Sequence, residues 1–344
     1  MNALLQFWQE RCGLARPLES DSRLHRLLNR YVVAALMNRF PHAATKLFSL
    51  SNGELARLLF VEREGGSFRV LRAMYDHQNA GDRGDWINKL LMQSPAIKAA
   101  RNRRAIAQQM LQQCLEAQPA GLPTLVVAIG GGDGSLEAEV IGRVRGRDIY
   151  YCAIDKDDRA VADSEMVLRR HGLAARGFVF VGTVAEERDL AAVLDCAGRR
   201  FGVAFDGAGV SVCHGIAEYY DIGSKTNETL AGLLRAIHGC TRAEGSLLIS
   251  QTDYHDRVEY LERGLSWHMR LRSSDELAVE VAKAGWQISV CKLEPMGLIT
   301  MCLATRPAAE HVRIDGPGQL KEARVQRPLP AATRRRRWVR SRRR

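Results

Sequence analysis

The sequence predicts an α/β protein: a doubly wound, mostly parallel sheet of seven strands with a terminal antiparallel hairpin, preceded by a helical N-terminal domain. Three observations carry this. Up to about residue 118 the pattern is helical, and no β-rich run of useful length occurs. From Pro123 onward, short apolar runs alternate with helical stretches, the pattern of right-handed βαβ units. The last two runs are joined only by Glu294-Pro295-Met296-Gly297. That link is too short for a crossover helix, so these strands pair antiparallel.

In the helical part, Ser51-Asn52-Gly53-Glu54 reads as a capping box before LARLLF. Ser94-Pro95 reads as a cap with proline at the first position of a helix running to about Gln118. Ile97, Ile106, Met110, Leu111, Cys114 and Leu115 give that helix an apolar stripe. Glycines and aspartates around 79–85 mark a loop. Beyond it, strands are expected at 124–129, 148–154, 178–181, 210–213, 246–251, 287–293 and 298–305. Helices are expected at 135–145, 158–171, 185–197, 226–240 and 274–284. Apolar runs without alternation are strands buried on both faces. Three segments follow: a helical domain over 1–119, a sheet domain over 120–306, and an arginine-rich tail over 307–344. The tail has four prolines, few large apolar residues and an arginine run, and is expected to be disordered.

The 344 residues are 46% hydrophobic and 26% charged, a soluble globular composition that excludes a collagen-like or wholly disordered chain. No apolar run approaches the ~20 residues of a membrane helix, and the first residues do not read as a signal peptide. A cytoplasmic protein without a membrane partner is expected. The eight cysteines form no Cys-x-x-Cys pair and read as buried apolar side chains in a reducing compartment. The net charge of +11 points first to nucleic acid. Its distribution changes that reading. Lys321–Arg344 holds eleven basic side chains against the single acid Glu322, a net of +10, which leaves +1 for residues 1–320.

The chemistry is expected at the ends of the strands. The first strand runs into Gly130-Gly131-Gly132-Asp133-Gly134 and then a helix. Glycines there permit positive φ and close approach of backbone to a ligand. Asp155 ends the second strand 21 residues after Gly134, where a carboxylate can accept both hydroxyls of a ribose. The alternative is a tight strand–helix turn with no ligand. The spacing is G-x-G-x-G rather than the G-x-G-x-x-G of NAD proteins, and no P-loop lysine follows. No metal constellation is present, since His214 and Glu218 lack a third ligand. Nor is there a G-x-S-x-G nucleophile elbow.

The glycine loop, the acid ending the second strand and the terminal hairpin together resemble class I S-adenosylmethionine (SAM) methyltransferases, whose core is a Rossmann-like seven-stranded sheet. A more specific resemblance lies in HGIAEYY (214–220), EGSLLISQTDYHDRVE (244–259), WHMRLRSSDEL (267–277), AGWQI (284–288) and MGLITMCLATR (296–306). These resemble one bacterial methyltransferase family, sometimes joined to α/β-hydrolase-like domains, in nearly ungapped register from Glu244 to Arg306. The resemblance implies SAM as cofactor, held by Gly130, Gly132, Asp133, Gly134, Asp155, Lys156, Thr183, Val184 and His214. Two positions depart from the class. Ala128 stands where an acid usually precedes the first glycine, and Gly182-Thr183 replaces an aspartate after the third strand.

Methyl transfer from a sulfonium is an in-line displacement, so alignment supplies much of the rate and a strong base is optional. His214, after the fourth strand, is the first candidate base. Its alternative is a histidine that only hydrogen-bonds the cofactor or caps the strand. His255, in the aromatic–histidine pair after the fifth strand, is the second candidate. Tyr219, Tyr254 and Trp267 are candidate substrate contacts, with packing as their alternative role. Arg101, Arg103 and Arg104 lie on the helix entering the sheet. One of them is a candidate partner for the methionyl carboxylate of SAM, and a solvated helix face is the alternative.

The expected function is methylation of O, N or C on a small molecule, a biosynthetic intermediate, with residues 1–119 as lid and substrate wall and a homodimer as candidate assembly. Aminopropyl transfer from decarboxylated SAM is the alternative within the fold, because polyamine synthases carry a similar G-G-G-D-G turn. The tandem acids that would bind a polyamine are absent from His214–Asp221. An RNA-associated methyltransferase anchored by the basic tail is the alternative from a different class. A catalytically silent scaffold is the third, motivated by Ala128 and Thr183.

Overall fold

The computed structural model describes residues 3–14, 17–75, 85–183, 187–222 and 229–308. Most of the expected loop near 79–85, and the tail from residue 309, lie outside the described residues.

The N-terminal part is helical. Helix α1 (Ala3–Cys12) is followed by α2 (Arg23–Leu28), which passes through a π-helical turn (Asn29–Val33) into α3 (Ala34–Arg39). Then come α4 (Pro41–Phe48), α5 (Glu54–Ala56) with a second π-helical turn (Arg57–Val61), α6 (Phe68–Tyr75), α7 (Trp86–Met92) and the long α8 (Pro95–Ala117). Proline opens α8 as expected, but Ser94 makes no side-chain cap bond. The capping box expected at Ser51–Glu54 does not form. The Asp85 carboxylate takes the Ser51 hydroxyl and the Asn52 N–H, leaving Gly53 as the cap. A capping box does form at Ser273 and Glu276.

The strands alternate with helices: β1 (Thr124–Ile129), α9 (Ser135–Ile141), β2 (Ile149–Asp155), α10 (Asp158–Arg170), β3 (Gly177–Val181), α11 (Glu187–Phe201), β4 (Ala208–Cys213), α12 (Leu230–Cys240) and β5 (Thr241–Thr252). Helices α13 (Val258–Leu265) and α14 (Ser274–Lys283) precede the hairpin of β6 (Gln287–Leu293) and β7 (Ile299–Thr305). The sheet order is β3-β2-β1-β4-β5-β7-β6. All pairings are parallel except those of β7 with β5 and β6. The fold is the seven-stranded α/β sheet with a terminal hairpin that the apolar runs predict. β1 and β4 are buried along their whole length, which explains their unalternated sequences.

One sheet face packs on α1, α8 and α9 through residues such as Trp8, Ile106, Met110 and Leu136. The other packs on α11, α12 and α14 through Val193, Leu233, Leu234 and Leu277. A third cluster joins α5–α7 to α13 through Leu58, Phe60, Met74, Tyr260 and Leu265. The hairpin turn is fastened from inside. Buried Glu294 accepts hydrogen bonds from Asn102 of α8 (3.0 Å) and from the N–H groups of Met296 (2.7 Å) and Leu298 (2.9 Å). Among the described residues no helix is long and apolar enough to cross a membrane.

Candidate active site

The chain crosses to opposite faces of the sheet from β1 and from β4, which opens a crevice at their C-terminal ends. A cavity of about 440 Å³ lies there, within the ~300–1,000 Å³ of small-molecule sites. Its base is the backbone at Gly130–Asp133, Asp155–Asp157 after β2, Gly182-Thr183 after β3 and His214–Ile216 after β4. Its wall is α6, through Phe68, Leu71, Arg72 and Tyr75, with the Glu64–Ser67 strap leading into it. α8 contributes Arg103 and Arg104.

The loop after β1 is held by its own backbone. Gly130 has φ +65°, and a Cβ on it would lie 2.2 Å from Cγ2 of Ile216. Only glycine lets the loops after β1 and β4 approach so closely. Asp155 Oδ2 accepts the Gly132 N–H (2.8 Å) and Oδ1 accepts the Asp157 N–H (2.9 Å). Each carboxylate oxygen retains a further lone pair for a ligand hydroxyl. Asp133 turns toward the helix start, where Oδ1 accepts the Ser135 N–H (3.0 Å) and Oδ2 lies 3.6 Å from Arg72. Gly134 is not among the cavity residues; its positive φ turns the chain into α9. Glu137, in the first turn of α9, is buried in the cavity wall, and that burial lifts its carboxyl to about 7.

The loop after β4 is different. Both ring nitrogens of His214 are buried and have no hydrogen-bond partner among the described residues. Burial, reinforced by nearby Arg103, pushes its pKa down to about 3, so the ring is neutral at ordinary pH. Arg103 is 5% exposed. Tyr219 lines the cavity, accepts a hydrogen bond from Trp267 Nε1 (2.8 Å) and faces Lys156, whose Nζ lies 6.0 Å from its ring centre. Thr183 sits at the exposed rim.

The structure brings Gly130, Gly132, Asp133, Asp155, Lys156, Thr183, His214 and Tyr219 to one cavity. Val184 lies outside the described residues. Trp267 does not reach the cavity lining. It stands behind Tyr219, with Gly65 packed on its ring. His255 and Tyr254 are not brought to the cavity either. The Asp253–Arg257 loop is drawn away by the N-terminal helices: Asn38 Nδ2 donates to the Asp256 carbonyl and Arg257 to Asn29 Oδ1. His255 Nδ1 accepts the Arg257 N–H, and Tyr254 is 57% exposed.

The basic run on α8 is not a solvated face. Arg101 and Arg103 are buried, and Arg104 pairs with Glu139. Arg101 is committed to Glu19, which leaves Arg103 as the buried cation in the cavity. Sequence reasoning did not single out the α6 wall or the Glu64 strap. Glu64 Oε1 accepts from Arg159 and from Arg69, both at 2.8 Å. Arg159 also holds Asp157, so the strap is tied to the segment that follows the Asp155 carboxylate. A ridge of Phe68, Arg72 and Tyr75 at helical spacing was the available signal.

A family model described as "Putative methyltransferase" matches residues 62–306. The chain belongs to this methyltransferase family. The match begins at Glu62, so the strap, α6 and α8 fall inside the family's unit together with the sheet. The chain is 23% identical over 282 residues to "Uncharacterized protein YnbC" of Escherichia coli (strain K12), a match covering 79% of this chain and 45% of that protein. The chain thus spans less than half the length of this curated relative. A crystal structure of a possible exported protein from Bordetella parapertussis superposes with a TM-score of 0.60 at 17% identity, covering 80% of this chain and 96% of that one. It supports the fold.

The residues present fit S-adenosylmethionine, the methyl donor that the sequence resemblance implies. The glycine cradle leaves room that a Cβ would fill, Asp155 offers acceptors for ribose hydroxyls, and His214 presents buried polar atoms that await a partner.

Proposed function

We propose that the chain methylates O, N or C of a small molecule, with S-adenosylmethionine as donor. The observation that carries this is the joining of the Asp155–Gly132 cradle and the unpartnered His214 ring in one cavity walled by α6. When bound, S-adenosylmethionine supplies a methyl group activated on a sulfonium. Asp155 and the glycine loop hold the nucleoside end. His214, neutral near pH 7 with one N–H and one bare nitrogen, orients the reacting partners as a hydrogen-bonding group rather than acting as a strong base. Phe68, Tyr75 and Tyr219 exclude water and present ring surface to the acceptor. The partly aromatic wall favours a small organic acceptor over a polymer.

Isothermal titration with S-adenosylmethionine and S-adenosylhomocysteine tests the reading. Micromolar binding of both is expected, and no binding of either at high micromolar concentration would overturn it.

A further inference from the structure

β6 is an edge strand of the sheet, and β7 lies between it and β5. Cys291 of β6 and Cys302 of β7 are partners in the antiparallel register, so their side chains leave the sheet on the same face. The other strand cysteines meet different residues: Cys152 faces Val127 and Phe178, and Cys213 faces Ile249. The kind of pair matters. The Glu294 N–H donates to the Ile299 carbonyl (2.8 Å), so these two form a hydrogen-bonded pair. From there the register runs without a slip through Leu293–Thr300 and Lys292–Met301 to Cys291–Cys302. Alternation makes the cysteines a non-hydrogen-bonded pair, the kind with the closer side chains. Trp8 agrees with this phase: its indole takes the Leu293 carbonyl, which the same alternation turns away from β7. The Cα atoms of such pairs stand about 4.5 Å apart, within the ~4.4–6.8 Å that a disulfide spans. The two thiols already lie within hydrogen-bond reach of each other.

We infer that Cys291 and Cys302 form a dithiol–disulfide modification site, which closes inside the native hairpin when a low-molecular-weight disulfide is the oxidant. Burial sets the order of attack. Cys302 is 0% exposed. Cys291 is half-buried on the edge strand, with its Sγ donating to the Ser274 carbonyl at the start of α14 (3.5 Å). The Cys291 thiolate attacks one sulfur of the oxidant, whose S–S bond breaks and releases one small thiolate. That thiolate takes up the proton that Cys291 gave to solvent. Cys302 then loses its proton and attacks Cys291 Sγ, expelling the second small thiol, which carries that proton away. Two protein thiols are oxidised to one disulfide, and one small disulfide is reduced to two thiols. The new bond ties the edge strand to β7. In the reduced chain the pair packs in the cluster that holds α12 and α14 on the sheet.

The test uses the full, folded chain, incubated with glutathione disulfide and mapped by peptide mass spectrometry without reduction. The expected product is a Cys291–Cys302 link with no glutathione retained on either cysteine. Cys302→Ala should stop at glutathione attached to Cys291. Cys291→Ser should leave Cys302 unreacted, and as a change at the half-buried position it keeps the test alive if Cys302→Ala fails to fold. Closing this short loop should raise the thermal midpoint of the wild type by about 4 °C. Dithiothreitol should reverse the rise, and Cys291→Ser should show none. Absence of the link in the folded chain would overturn the site, as would a link that forms only in urea. So would a wild-type product that keeps glutathione on Cys291, or an oxidised chain that melts no higher than the reduced one.

Discussion

The loops after β1 and after β4 face each other across the crevice and are built on opposite plans. After β1, the N–H groups of Gly132 and Ser135 end on Asp155 and Asp133, and Asp155 also takes the Asp157 N–H after β2, so the loop satisfies its own bonds. After β4, the two buried ring nitrogens of His214 have no hydrogen-bond partner among the described residues, and Arg103 comes up behind Gly215 within electrostatic reach of buried Glu218. A loop that completes its own bonds can serve one invariant ligand. A loop with uncommitted polar atoms takes its last partners from whatever binds, which is how one sheet supports many acceptors.

The largest expected effect breaks the satisfied side. Asp155→Ala removes both the hydroxyl acceptor and the Gly132 anchor, and calorimetry should show S-adenosylhomocysteine weakened about 100-fold. If the loss is under fivefold, the rigid-cradle half of the comparison is wrong.

Glu137 comes next. Its folded pKa of about 7 lies above the ordinary 4.5, so the stability it allows is full below 4.5 and is lost as pH rises through 7. Glu137→Gln should therefore stabilise the protein by about 2 kcal/mol at pH 8 and scarcely at pH 4. Thermal melts at the two values check this.

His255 has the opposite sign. Burial lowers it from 6.5 to about 4, so the unfolded chain binds its proton first and stability falls as pH drops from 6.5 toward 4. His255→Gln should shrink the loss of unfolding free energy, read from urea titrations, between pH 8 and pH 4.5 by about 1 kcal/mol. Affinity for S-adenosylhomocysteine at pH 8 should not change, because His255 stands outside the cavity. The smallest effect is expected from deleting 321–344. Calorimetry should find nucleoside affinity within twofold, since the cavity draws on residues 64–220. A large loss would show that the tail takes part in nucleoside binding.

The sheet was legible because β1, β4, β5 and β7 are buried on both faces and so write their position as unbroken apolar runs. The cradle was legible because glycine and one carboxylate are fixed by backbone geometry. The helical part was harder to read, because its side chains are chosen by distant partners. Ser51 looks like a cap until Asp85 competes for its hydroxyl. Arg101, Arg103 and Arg104 are adjacent in sequence but point to three surroundings: Glu19, the cavity and Glu139. Tyr254 and His255 follow β5 just as His214 follows β4, yet contacts with Asn29 and Asn38, more than two hundred residues earlier, carry their loop elsewhere.

Those long reaches bear on how the chain is made. Buried Trp8 donates through Nε1 to the carbonyl of Leu293 (2.7 Å), 285 residues downstream. At translation speeds of roughly 5–20 residues per second, the indole waits about 15–60 s for its acceptor to be synthesised. During that time α8 and the earlier strands of the sheet become available to the apolar face of α1. The hydrogen bond that fastens the first helix to the hairpin is thus among the last contacts of the fold that can form.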